Sequence, residues 1–251
     1  MDRHEASWIE ESHQAMHGWD FSHLKGRCET EALPWDYRGL VQQYLKPNDE
    51  WLDMDTGGGE LMSSFKHPAE KTSVTEGWQP NIDLLNRTQV AQGITLYADP
   101  EGKMAEVPSD HFEVVTNSHG GLPIAAISRV LRPDGVFISQ QVGATNNYSL
   151  SRFLNGKYAP AFPDNNLLQV ITQLQSSGFR ILKADASFVK MRFTDVGAIV
   201  YYATVIPWEF TNFDVNRAMP ELHQLQDIIA NVGDITTFED RFIVVATKDE
   251  D

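Results

Sequence analysis

The stretch Trp51-Leu52-Asp53-Met54-Asp55-Thr56-Gly57-Gly58-Gly59-Glu60 constrains the fold more than any other part of this chain. It reads as the end of a short buried strand, a glycine-dense turn, and a helix starting near Glu60. Glycines at such a turn supply positive φ and remove side chains, so backbone N–H groups can approach a ligand closely. Further on, Glu76 closes a second strand-like run, Thr72-Ser73-Val74-Thr75. At about that separation from a glycine turn, doubly wound α/β proteins carry the acidic residue that holds ribose hydroxyls. The pair implies a nucleoside-containing ligand.

Strand and helix signals alternate along the chain. A helix is expected over residues 5–17, and another from Trp35 to Leu45 with Leu40, Val41, Tyr44 and Leu45 on one face. A short helix over 60–65 is stopped by His67-Pro68. Pro80 suits the first turn of the next helix, with Ile82, Leu84, Leu85 and Val90 as core candidates. Strands follow at 94–98, closing on Asp99-Pro100, and at 111–117, leading into Ser118-His119-Gly120-Gly121. A helix from Pro123 ends in the turn Arg132-Pro133-Asp134-Gly135, which feeds a strand over 136–141. Beyond it come a helix at 166–177 and a strand at 180–189. Mixed signals fill 193–206, where Thr194-Asp195 suits a helix cap, and Pro207-Trp208 breaks that run. A helix at 219–231 and a last strand at 241–248 complete the reading. This alternation predicts a parallel sheet covered on both faces.

Asp53 followed by Asp55-Thr56-Gly57-Gly58-Gly59 resembles motif I of the class I S-adenosylmethionine (SAM) methyltransferases. One position departs: Asp55 stands where the family has its first glycine. Either it contacts the ligand's ammonium, or a negative φ lets it be tolerated there; Asp also visits unusual backbone regions more readily than most residues. Phe112-Glu113-Val114-Val115 matches the family's fourth strand, and Val130-Leu131-Arg132-Pro133-Asp134-Gly135 its following turn. The set spans about residues 48–142 and is most similar to the small-molecule branch that includes quinone-biosynthesis enzymes. The resemblance implies an α/β, Rossmann-like, doubly wound and mostly parallel seven-stranded sheet with an antiparallel last strand. It also implies one methyltransferase domain over 1–251: N-terminal helices and lid (1–47), SAM-binding core (48–192), cap insertion (193–235) and final strand (236–251).

Charge narrows the acceptor. The net charge of −15 repels a phosphate backbone, and no run of Lys and Arg offers a compensating patch. A small-molecule substrate is thus expected, with a tRNA or rRNA methyltransferase and a non-catalytic SAM-binding sensor or partner module as alternatives. The glycine spacing excludes the dehydrogenase fingerprint G-x-G-x-x-G. A single cysteine, Cys28, excludes an internal disulfide, the N-terminus has no signal-peptide core, and the apolar run 197–207 is too short for a bilayer. A cytoplasmic monomer or homodimer is expected. The histidines show no metal spacing, so no metal is expected.

By resemblance the cofactor contacts fall on Asp53, Asp55, Thr56, Gly57, Gly59, Glu76, Gly77, Trp78, Asp99, Pro100, Asn117 and Ser118. Several have a plainer alternative: Glu76 as an exposed strand-end carboxylate, Asp53 as a turn former, Gly57 and Gly59 as turn glycines, Trp78 as a core residue, Asp99 as a helix or turn cap. His119 lies at the end of the fourth strand, beside the reactive methyl group in this fold; it is either a general base near pKa 6.5 or a turn residue. Trp19, His119, Gln141, Asn146, Tyr201 and Trp208 are the substrate-side candidates, with polar capping or apolar packing as their structural roles.

Overall fold

The computed structural model describes residues 3–16 and 20–249. Helix α1 (Arg3–Glu11) is followed by a short strand β1 (Cys28–Thr30) and by α2 (Tyr37–Tyr44). The expected helix over 5–17 therefore ends at Glu11, and His17 lies outside the described residues. Next come β2 (Trp51–Met54), a four-residue α3 (Glu60–Ser63) and β3 (Thr72–Glu76). Helix α4 (Gln79–Thr88) has Pro80 in its first turn, and β4 (Thr95–Ala98) follows. Ile82 and Leu85 are core residues as expected, but Val90 lies past the helix and is exposed.

Strand β5 (Phe112–Ser118), α5 (Ile124–Val130) and β6 (Leu131–Val142) continue the alternation. Phe112 pairs with Leu131 and Val114 with Val136, so β6 loops out Arg132-Pro133-Asp134-Gly135 as a bulge. Asp134 takes φ +61° there, which Asp tolerates better than bulky residues. Helix α6 (Tyr148–Leu154) has no counterpart in the sequence reading: Asn147, at φ +51°, opens it without a side-chain cap bond. The remainder is α7 (Leu167–Ser176), β7 (Phe179–Phe193), α8 (Val196–Val205), α9 (Met219–Val232) and β8 (Ile235–Lys248). The mixed signals at 193–206 thus resolve into the end of a strand and a helix, and the last two strands begin earlier than expected.

The strands form one mixed sheet in the order β1-β7-β8-β6-β5-β2-β3-β4. Strands β6, β5, β2, β3 and β4 run parallel, whereas β1 pairs antiparallel with β7. The sheet has eight strands rather than seven. The extra one is β1, whose three residues Cys28-Glu29-Thr30 carry no alternating pattern and pair with Met191–Phe193.

The chain divides into two compact units. The first, here the glycine-turn unit, comprises Trp35–Gln141, Asn166–Ala186 and the chain from Phe242 onward. Its central strands β2, β5 and β6 carry buried residues on both faces, whereas the edge strand β4 is exposed or half-buried. Trp51, Val114, Ile138 and Ile243 join one core with Tyr37, Val41 and Leu85. Their neighbours Leu52, Val115, Phe137 and Val244 join the opposite core with Ile127, Val170 and Leu174. This is the period-2 consequence of a sheet between two helix layers. The second, the α8 unit, comprises the chain up to Pro34, Val142–Asn165 and Ser187–Arg241. Its core surrounds α8, buried from Val196 to Ala203, as a helix apolar on all sides must be. No helix among the described residues is long and apolar enough to cross a membrane.

Candidate functional site

In the glycine-turn unit the strand order reverses between β2 and β5, since β3 and β4 lie on one side of β2 and β5 and β6 on the other. Open α/β sheets bind ligands in the crevice at the carboxyl ends of strands where this happens. Met54 pairs with Asn117 as the last β2–β5 pair, so the loops that begin at Asp55 and just past Ser118 emerge from neighbouring strand ends.

The glycine turn is built from below. Asp53 faces Thr116 in the parallel register and is 6% exposed. Its carboxylate accepts the Thr116 hydroxyl at 2.6 Å and the Thr56 hydroxyl at 2.7 Å. Trp51 Nε1 in turn donates to Thr116 Oγ1 at 2.8 Å. Burial pushes the Asp53 carboxyl up to about 6 against the pull of those two hydroxyls. Asp53 thus buttresses the turn from inside. Thr116, absent from the sequence candidates, is legible only once the register is known.

Gly57 and Gly59 have φ of +64° and +84°, so the turn needs glycine at both. Over the turn lies Glu76, 7% exposed at the end of β3. One carboxylate oxygen accepts the N–H groups of Gly77 (2.9 Å) and Trp78 (2.8 Å). The other accepts from Gly57 N–H (2.9 Å) and, at 3.3 Å, from the Asn81 amide. The carboxylate is held rigidly against the glycine turn, with the long Asn81 contact its weakest bond. Asn81 is a second residue the sequence reading did not single out. A Cβ at Gly77 would stand 3.0 Å from the Asp99 carbonyl, so the ends of β3 and β4 meet over bare backbone that continues into Pro100. Trp78 is 56% exposed, which removes the core alternative for it. Asp99 accepts the N–H groups of Lys103 (3.0 Å) and Met104 (2.8 Å), the turn-capping arrangement.

On the β5 side Asn117 is fully buried and accepts from Gly120 N–H (3.1 Å) and from Gln141 Nε2 (2.6 Å), while Gln141 also donates to Ser139. Ser118 Oγ accepts from Gln140 Nε2. His119 is exposed at φ +70°, its N–H bonded to the Gln140 carbonyl. Asp55 adopts φ +51°, not the negative φ that simple tolerance required, and its Oδ2 accepts Gly121 N–H at 2.9 Å. Burial raises the Asp55 carboxyl; the Gly121 bond pulls it down while the charges of Glu76 and Asp99 push it up. Asp53, Asp55, Glu76 and Asp99 form no ion pair with any Lys, Arg or His among the described residues. The crevice is therefore strongly negative.

The substrate-side candidates separate. Gln141 and His119 belong to the crevice just described, and Trp19 lies outside the described residues. Asn146, Tyr201 and Trp208 belong to the α8 unit. There Asn146 accepts from Asp240 N–H at 2.8 Å, Tyr201 is buried against His23, and Trp208 is 39% exposed. Among the described residues no group of His, Cys, Asp and Glu is placed to hold a metal ion.

No family model and no curated protein matches the chain. Solved structures do. A functionally unknown protein from Deinococcus radiodurans superposes with a TM-score of 0.59 at 15% identity, covering 87% of this chain and 90% of that one. A candidate methyltransferase from Bacillus halodurans gives 0.56 at 15% identity, covering 86% and 99%. The YcgJ protein from Bacillus subtilis gives 0.57 at 12%, again covering 86% and 99%. At these identities the likeness is one of fold. The fold is the Rossmann-like one of the class I methyltransferases.

Proposed function

We propose that this chain is a SAM-dependent methyltransferase acting on a small-molecule acceptor. The observation that carries the reading is Glu76: a buried carboxylate fixed on the glycine turn at the switch-point crevice, beside the exposed Trp78. A ribose diol suits the former and an adenine face the latter. The negative field decides between nucleoside ligands. A dinucleotide would bring a pyrophosphate against Asp53, Asp55, Glu76 and Asp99, whereas SAM brings net positive charge.

SAM supplies an activated methyl group on a sulfonium, so the protein's work is chiefly to bind, orient and exclude water. In this reading Glu76, Gly57, Gly59, Gly77 and Trp78 hold the nucleoside, and Asp53 and Thr56 keep the turn in shape. Asp99 and Pro100 border the adenine side. Asn117 and Ser118 set the β5 loop, where His119 takes a proton from the acceptor. The acceptor's further contact within this unit is assigned to Gln141. The chain's net charge favours a small molecule over RNA as acceptor.

Calorimetric titration with SAM and S-adenosylhomocysteine tests the reading. Micromolar binding by the wild type and at least a tenfold loss in Glu76→Ala are expected, with no binding of NADH. Wild-type affinity in both Glu76→Ala and Gly57→Val would overturn it. Formation of S-adenosylhomocysteine with a panel of acceptors separates an enzyme from a binding module.

A further inference from the structure

Asp55 is the residue at which this crevice departs from a plain glycine turn. Its backbone is left-handed at φ +51°, and its carboxylate crosses from the loop after β2 to the loop after β5 to accept Gly121 N–H at 2.9 Å. The side chain lies so close to Gly120 that a Cβ there would collide with Asp55 Oδ2 and Asn117 Nδ2. Asp55 therefore stands between the two loops that flank the switch-point crevice. Its hydrogen-bond donors, Gly121 N–H and the Asn117 amide, are neutral. They solvate the carboxylate without cancelling its charge. The other charges acting on it, Glu76 and Asp99, are negative.

A partly buried carboxylate with only neutral donors and like-charged neighbours is costly until a cation reaches it. From this we infer that Asp55 makes the crevice selective for the charge of its ligand, favouring the cationic methyl donor over its neutral product. This rests on the methyltransferase reading. S-adenosylmethionine carries a sulfonium, whereas S-adenosylhomocysteine carries an uncharged thioether in its place. The rest of the two molecules is the same. A carboxylate at the switch point binds the first more tightly and releases the second, so product inhibition is weak. Asp55 acts here as a specificity-determining residue and takes no part in bond making.

The test is the ratio of the two affinities, measured by calorimetry on wild type, Asp55→Asn and Asp55→Gly. Both variants suit a left-handed backbone, glycine without cost and asparagine nearly so, and Asn keeps an acceptor for Gly121 N–H. The expected result is a shift of about tenfold in the ratio toward the product in both variants. It comes from a larger loss of SAM binding than of S-adenosylhomocysteine binding, because both carry the same ammonium and only SAM carries the sulfonium. Thermal unfolding of the free variants confirms that they fold. If both ligands bind the wild type and the ratio is unaltered in the variants, charge selection by Asp55 is wrong while the cofactor assignment stands. If neither ligand binds the wild type, the cofactor assignment falls and this inference with it.

Discussion

Each unit of the molecule buries a carboxylate, and the two are accommodated by different routes. In the glycine-turn unit Asp53 is bonded by Thr56, three residues on, and by Thr116, its register partner on the neighbouring parallel strand. In the α8 unit Glu209 accepts from the Asn147 amide at 3.2 Å and from Asn146, while its backbone carbonyl accepts the Ser151 hydroxyl at 2.9 Å. Those partners come from a segment far away in sequence, brought together by α6. Burial raises both carboxyls, and in both the amide or hydroxyl donors pull the other way. The first arrangement follows from strand register; the second depends on tertiary packing. The glycine-turn unit should therefore lose stability mainly through strand packing, and the α8 unit through unsatisfied polar groups.

The largest effect tests the first half of that contrast. Trp51 is fully buried, packs edge-on against Phe65 and His67, and supplies the donor that orients Thr116. Trp51→Ala should cost about 3–5 kcal/mol in urea unfolding, from lost burial plus a cavity. A cost below about 1 kcal/mol would show that β2 does not anchor the unit.

The second prediction concerns pH. Asp53 is raised to about 6 from 3.8, so the folded state binds a proton in preference to the unfolded chain. That stabilisation is fully present below 3.8 and is lost as pH rises through 6. Two pKa units correspond to about 3 kcal/mol at most. The difference between wild-type and Asp53→Asn unfolding free energies should slope between pH 3.8 and 6 and be flat on either side. Asp195 in the α8 unit should behave with the opposite sign. Burial opposes its charge, but the bonds from Arg27 outweigh that and hold its carboxyl below the usual range. Its contribution is present above 3.8 and disappears as pH falls through the depressed value. A monotonic acid unfolding curve that Asp53→Asn leaves unchanged would contradict the first assignment.

Third, Glu209→Ala should cost about 1–3 kcal/mol, because the buried Asn147 amide loses its shorter acceptor and keeps only the Tyr202 hydroxyl at 3.4 Å. Glu209→Gln keeps volume and an acceptor and should stay within about 1 kcal/mol of wild type at pH 7. Equal losses in the two variants would mean that the charge itself is required, and would break the analogy with Asp53.

The same contrast explains what could be read in the sequence. Strand β3 was legible to its last residue because the strand-like run Thr72-Ser73-Val74-Thr75 stops at Glu76, just before Gly77. The turn, the strand series and the fold class followed from glycine placement and from apolar runs between turn residues. The Asn117–Gln141–Ser139 relay was not legible as a relay, since it exists only when β5 and β6 pair Asn117 with Ser139. That Asp99 accepts the N–H groups of Lys103 and Met104 could be known only from the path of the backbone after β4. In the α8 unit the losses were greater. Helix α6 begins at a left-handed Asn147 without a cap bond, and β1 is three residues long, so neither gives a local signal.

Helix caps sharpen the comparison at its smallest scale. Asn166 accepts Gln169 N–H at 3.1 Å and opens α7 in the glycine-turn unit; Asp195 accepts Ala198 N–H at 2.8 Å and opens α8 in the other. As caps alone, each replaced by Ala should cost about 1 kcal/mol. Asp195 does more: Arg27 donates to both of its oxygens, at 2.9 and 2.7 Å, and also to Glu11 at 2.7 Å. Asp195→Ala should therefore cost more than Asn166→Ala, and Asp195→Asn, which keeps the cap but weakens the fork, should fall between. Chemical denaturation of the three variants checks the order. Equal costs for Asn166→Ala and Asp195→Ala would mean that the Arg27 fork adds nothing beyond the cap, and that polar cross-links matter no more in the α8 unit than in the sheet.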